Sequence, residues 1–293
     1  MLRLMKTSTL LLSLLLLQFS GHAQGKSLLW KVTGKDLNAP SYLFGTMHLV
    51  CKNELSFSPA VTNALQSAKT MCMEIDLMNE NKEKMQSLIY NQDDGYSLRQ
   101  LFDSGQYRMV DRFFQDTMHF GLATLDKAKP FMLTTLLMMK QVPCPSKEIA
   151  APDRELATMA TNRKIPIATL ETLESQMALF DSIPDKAEAA MIVRMVKDIQ
   201  RNDKETRMMM DTWKQQDLDK LYKMVIQAPD LKNYQDLMLF RRNAAWVPQL
   251  KQLMAQGPVF VAVGAAHLAG DKGLIALLRK EGYKVEAVSS KNP

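Results

Sequence analysis

The chain is poor in the residues that build metal and thiol centres: four histidines and three cysteines in 293 positions. No Cys-x-x-Cys pair occurs, which argues against a thiolate-based metal site. Three cysteines (Cys51, Cys72, Cys144) allow one disulfide and leave one thiol over, and spacing alone does not say which pair joins. Beyond the N-terminus no apolar run is long enough to span a bilayer. Charge is not gathered by sign: 37 Lys and Arg stand among 31 Asp and Glu without blocks, so nothing points to nucleic acid. Tandem repeats and low-complexity segments are absent too.

What is present begins with an N-terminal address. Arg3 and Lys6 precede an apolar run over 9–17, followed by small and polar residues around Ser20, Gly21, His22 and Ala23. This pattern reads as a signal peptide over 1–23 cleaved near Ala23-Gln24, the alternative being an uncleaved anchor. No cysteine stands at the junction to carry a lipid. The expected mature protein, 24–293, is a single domain, secreted or periplasmic and without a transmembrane segment. The 22 methionines include Met138, Met139 and Met208 to Met210; at helical spacing they suit core packing better than copper ligation.

Periodicity predicts an α/β fold: a central, mostly parallel sheet flanked by helices, with a large helical middle region over about 79–255. Strands are expected at 28–33 and 42–44, a helix from Ser58-Pro59 to about Lys69, and a buried strand at 71–75. Helices dominate 80–142. A helix from Pro152 and a strand at 165–170 form a second crossover unit. Further helices fill 171–253, with breaks expected at Pro184, Pro229 and Pro248. The chain closes with a strand at 259–263, a helix at 271–281 and a strand at 283–288.

One local pattern recurs. Leu43-Phe44-Gly45-Thr46-Met47-His48-Leu49 and Ala262-Val263-Gly264-Ala265-Ala266-His267-Leu268 each run an apolar strand into Gly-x-x-His-Leu. Glycine would permit a sharp turn there, delivering an imidazole just past a strand end, where α/β sheets bind ligands. Two neutral imidazoles invite a divalent ion, and a hydrolytic site needs a third protein ligand and an open position for water. Glu74, on the strand at 71–75, is the leading third ligand because a carboxylate there is costly to bury unless paired; Asp76 is the runner-up, and an edge strand carrying solvated acids is the bland alternative. Glu171 ends another strand and is placed either as general base or orienting residue, or as a cap of the following helix. Arg154, and Arg241 with Arg242, are the guanidinium candidates for holding an oxyanion. His119 reads as structural.

These residues resemble a known family. Leu29-Trp30-Lys31-Val32, the Tyr-Leu-Phe-Gly-Thr-Met-His block, Met73-Glu74-Ile75-Asp76, Leu170-Glu171-Thr172, Arg242-Asn243 and Val-Gly-Ala-Ala-His-Leu together are similar to the TraB/GumN family (TraB/PrgY/GumN), related to the Tiki metalloproteases. The resemblance implies the fold of erythromycin esterase and the haem-binding ChaN proteins, with metal ligands His48, Glu74 and His267. It implies a manganese-, cobalt- or zinc-dependent hydrolase, a peptidase acting on peptide or protein substrates. Glu171, Arg154 and Arg242 would assist a metal-activated water. Two other readings stay open: a metal-free, esterase-like hydrolase with histidine as base, and a non-catalytic haem- or peptide-binding protein. Oligomeric state is not legible.

Overall fold

The computed structural model describes residues 26–34, 37–76, 78 and 82–289. The expected signal peptide and its cleavage point lie outside the described residues. The chain opens with strands β1 (Leu29–Thr33), β2 (Ser41–Thr46) and β3 (Val50–Cys51), helix α1 (Pro59–Gln66) and strand β4 (Thr70–Met73). Helices α2 (Lys82–Ile89), α3 (Ser104–Met118) and α4 (Pro130–Gln141) follow, then β5 (Ile149–Ala150), α5 (Pro152–Asn162) and β6 (Ile167–Thr169). A second helical stretch comprises α6 (Leu173–Asp181), α7 (Asp185–Lys197), α8 (Ile199–Lys214), α9 (Leu218–Gln227) and α10 (Arg241–Gln256). The last elements are β7 (Val259–Gly264), α11 (Leu274–Lys280) and β8 (Lys284–Val288).

The main sheet has six strands in the order β6-β4-β7-β2-β1-β8. The first four are mutually parallel, and β1 runs antiparallel to both β2 and β8. The expected α/β class is therefore what the chain adopts. β7, Val-Phe-Val-Ala-Val-Gly, is buried at every position but its last, as a parallel strand covered on both faces requires. β4 lies inside the sheet between β6 and β7, so the edge-strand reading of 71–75 does not hold. That strand also stops at Met73, leaving Glu74 just past its end rather than on it.

Helix starts follow local chemistry. Ser58 caps α1, its Oγ accepting from the Val61 N–H, with Pro59 in the first turn. Asp103 and Gln106 close a capping box on α3, and Thr172 with Ser175 closes one on α6. His119 adopts a left-handed conformation at the end of α3, a structural position as expected. Pro248 does not break its helix: α10 runs through it, anchored by the buried Trp246, Val247 and Leu250 on either side.

Two hydrophobic cores result. The larger wraps the sheet and includes residues of α1, α5 and α8 to α11. The smaller lies within the helical region, built from Val110 and Phe114 on α3, Leu133 and Leu137 on α4, and Ala189, Ile192 and Val193 on α7. A disulfide joins Cys51 to Cys144, tying the end of β3 to the chain beyond α4, while Cys72 is a buried free thiol. Nearby, β3 pairs with β5 in a two-stranded ladder that hydropathy patterning did not anticipate.

Candidate functional site

Parallel strands put their carboxyl ends at one edge of the sheet, so the four residues that follow β6, β4, β7 and β2 emerge side by side. They are Glu171, Glu74, His267 and His48, in the order of the strands. β2 and β7 end in register, Thr46 opposite Gly264, so the two Gly-x-x-His turns lie against each other.

The motif glycines act by lacking a side chain. Neither is among the glycines of positive φ, which corrects the expectation of a sharp turn made by glycine's freedom. A Cβ on Gly45 would meet Ala265 Cα at 3.1 Å and Leu268 Cδ1 at 3.2 Å, so glycine is what lets the turns pack together. A Cβ on Gly264 would stand 3.4 Å from Glu74 Oε1, 3.7 Å from His267 Cδ2 and 3.8 Å from His48 Cε1. The space beside Gly264 is thus the point on which all three proposed ligands converge.

Arg242 organises this centre. Its Nη2 donates to Glu74 Oε2 at 2.6 Å and to Glu171 Oε2 at 3.0 Å, its Nε donates to Glu171 Oε1 at 2.9 Å, and its Nη1 lies 3.2 Å from His267 Nε2. A π turn, Asp236–Phe240, immediately precedes α10, and Arg242 Nη1 also donates to the Met238 carbonyl within it. One turn further along α10, Trp246 donates its indole N–H to Glu171 Oε1 at 3.0 Å and lays its ring 4.5 Å from that of His267. Glu171 therefore orients Arg242, and the helix-capping alternative falls to Thr172. Glu74 is further held by the Gly264 N–H at 2.8 Å and by Gln176 Nε2 at 3.2 Å.

The network fixes the state of His267. Asn243 Nδ2 donates to the Lys272 carbonyl, which turns Asn243 Oδ1 toward His267 Nδ1 at 2.6 Å. An amide oxygen only accepts, so Nδ1 carries the proton; guanidinium only donates, so Nε2 bears the lone pair. Burial holds His267, 4% exposed, at a pKa of about 4, with Arg242 acting in the same direction, and its ring is neutral. Burial pushes Glu74 upward, but the imidazole of His267, the Arg242 cation, His48 and the Gly264 N–H outweigh it and hold the carboxyl at about 2. Arg242, whose Nη2 lies 2.6 Å from Glu74 Oε2, is the permanent charge among these, and His267 adds its charge once it protonates below about 4.

His48 differs. Its side chain is 70% exposed, and its Nδ1 faces Asp153 Oδ2 at 3.9 Å. Asp153 raises its pKa above the ordinary imidazole value, an attraction that surrounding water screens. Of the other expected residues, Arg154 is exposed on α5, and Arg241 is exposed and paired with Asp236. Asp153, Asn243, Trp246 and Gln176 went unrecognised as site residues. Asn243 and Trp246 could have been found as the residues one and four positions beyond Arg242, and Asp153 as an acid beside a proline-started helix. A cavity of about 510 Å³ lies elsewhere, lined by Leu28, Phe44, Phe57 and Trp213 among others and by none of these side chains.

A mostly parallel sheet with paired imidazoles and carboxylates at its carboxyl edge defines the class, and sequence comparison supplies the family. The model of the TraB/PrgY/gumN family matches residues 28–287, and the chain belongs to that family. It is also similar to the uncharacterized protein YbaP of Escherichia coli strain K12 and of Shigella flexneri, each 30% identical over 138 residues. Those matches cover 43% of this chain and 47% of each relative, less than half of either. No solved structure gives a significant match.

Proposed function

We propose that the protein is a hydrolase acting outside the cytoplasm, a metal-dependent peptidase centred on His48, Glu74 and His267. The observation that carries this reading is the convergence of those three side chains on the side-chain-free space beside Gly264. Two imidazoles and a carboxylate suit manganese, cobalt or zinc. His267 is neutral with its lone pair directed inward, the form a metal ligand needs, and Asn243 holds that tautomer. Among the described residues no three such side chains stand at ligating geometry. Accepting an ion would require Arg242 Nη1 to leave His267 Nε2 and His48 to bring a ring nitrogen to the point that its Cε1 now approaches. The donor set fits such an ion in chemistry, with Arg242 the group it must displace.

When bound, the ion would polarise a carbonyl and lower the pKa of a water molecule. The chain's own residues supply the rest. Arg242, kept on Glu171 by paired hydrogen bonds, stays beside the centre as a fixed cation for negative charge developing on a substrate oxygen. Glu171 and Trp246 hold it there. The N-terminal signal-like segment and the Cys51–Cys144 disulfide support an oxidising compartment.

One observation favours a second reading, a metal-free hydrolase. Arg242 already occupies both Glu74 Oε2 and His267 Nε2, which would make His267 a base and Arg242 the electrostatic stabiliser. A peptide-library hydrolysis assay with and without chelator separates the two. The metal reading expects cleavage that chelator abolishes and manganese, cobalt or zinc restores, and that His267→Ala and Glu74→Gln eliminate. Cleavage indifferent to chelator would transfer the case to the metal-free reading.

A further inference from the structure

The two Gly-x-x-His turns share a feature that the motif does not contain. Each imidazole presents its Nδ1 to a side-chain oxygen from the beginning of a helix. For His267 the oxygen is Asn243 Oδ1 near the start of α10, hydrogen-bonded at 2.6 Å; for His48 it is Asp153 Oδ2 in the first turn of α5, a charge contact at 3.9 Å that is longer than a hydrogen bond. In the first case the contact selects the Nδ1–H tautomer and points Nε2 inward.

Asp153 is tied down for the same task. It is 8% exposed, and its Oδ1 accepts from Thr46 Oγ1 at 2.6 Å, two residues before His48. The residues that flank this pair are joined twice more. Val50 and Cys51 pair with Ala150 and Ile149, and Cys51 is bonded to Cys144. Among the described residues the Asp153 carboxylate takes that single hydrogen bond and forms its one ion pair with His48. Its place in the first turn of α5 lets the helix N-terminus favour the charge, and leaves Oδ2 directed at His48.

We infer that Asp153 is a positioning residue for His48, its carboxylate holding the imidazole in the Nδ1–H tautomer so that Nε2 faces the point shared with Glu74 and His267. The inference rests on the site of the proposed function, though its decisive readout needs neither metal nor substrate. The Thr46 hydroxyl keeps the carboxylate aimed, and the β3–β5 ladder with its disulfide holds the two chain segments at that spacing.

Long-range proton–nitrogen NMR of the imidazoles, with His48 assigned by its loss in His48→Gln, tests this in the metal-free protein. At alkaline pH, where the ring is neutral, His48 is expected as the Nδ1–H tautomer in the unaltered protein. Asp153→Ala and Thr46→Val should shift it toward the Nε2–H form that an unrestrained imidazole prefers. Cobalt(II) titration adds a second readout: Asp153→Asn keeps an oxygen for Thr46 and should weaken binding about 10- to 100-fold, as loss of a partner behind a ligand does. An Nε2–H tautomer at His48 in the unaltered protein overturns the inference, and that measurement needs no variant to fold. If the tautomer is as expected but cobalt does not bind even the unaltered protein, the metal reading fails while the positioning role stands.

Discussion

Two glutamates are buried to a similar degree in different regions of the molecule: Glu74 at the sheet edge, 9% exposed, and Glu188 on α7 in the helical region, 5% exposed. Their acidities move in opposite directions. Glu74 is held at about 2, whereas burial, with Asp185 and Asp181 adding repulsion, pushes Glu188 up to about 8 against the weaker pull of Lys129. Burial is common to both, so it does not explain the difference. What differs is that the sheet edge brings the His267 imidazole, a guanidinium and a backbone N–H to one carboxylate, while the helical region sets acids around the other. Compensation gathered at one carboxylate keeps it ionised, and its lack at the other favours the neutral acid.

The sharpest way to break the contrast is to remove Arg242. Arg242→Ala leaves Glu74 and Glu171 buried without their cation and should cost about 3–5 kcal/mol in chemical denaturation. Adding Glu171→Gln should recover part of that loss; a stability unchanged by Arg242→Ala would refute the compensation argument. Next in size is the disulfide that ties β3 to the chain beyond α4, within the core around the sheet. Replacing both Cys51 and Cys144 by serine opens a bridge across a separation of 93 residues, for an expected loss of about 4 kcal/mol.

The glutamates themselves give opposite pH signatures. A carboxyl with a raised folded-state pKa stabilises the fold fully only below its ordinary value, so the Glu188 contribution falls as pH rises from 4.5 through about 8. Glu188→Gln should therefore raise stability on the order of 2 kcal/mol at pH 8 and change little at pH 4. Glu74 behaves conversely: its contribution is present above 4.5 and is lost as pH falls toward 2. Thermal melts across that range check both signs, and parallel profiles for the Glu74→Gln and Glu188→Gln variants would erase the distinction. A loss of similar size, about 1–3 kcal/mol, is expected of Asn243→Ala, from leaving the His267 Nδ1–H and the Lys272 carbonyl unpaired.

The legible part of this molecule was local. Hydrophobic strands running into Gly45 and Gly264 announced both turns, and the proline at the start of α5 marked its helix. Glu74 was recognisable because an acid beside Met71, Cys72 and Met73 needs an explanation. The strand order was not legible, since no local signal says that β7, late in the chain, inserts between β2 and β4. That insertion is what brings the four strand ends together. The residue pattern alone does not separate the two adjacent arginines, and only the family resemblance singles out Arg242; in the structure Arg242 bonds Glu74 and Glu171 while Arg241 pairs with Asp236, and neither pattern nor resemblance shows Arg242 as the hub. The short β3–β5 ladder was illegible because two-residue strands carry no periodicity.

The central claim, that one centre is built from both turns and Glu74, is tested most directly by calorimetric titration of manganese, cobalt or zinc. The proteins to compare are the unaltered chain and His48→Ala, Glu74→Gln and His267→Ala. The account predicts uptake of one ion per unaltered chain and at least a tenfold weakening in each of the three variants. Equal binding by all four proteins, or binding by none, would contradict it.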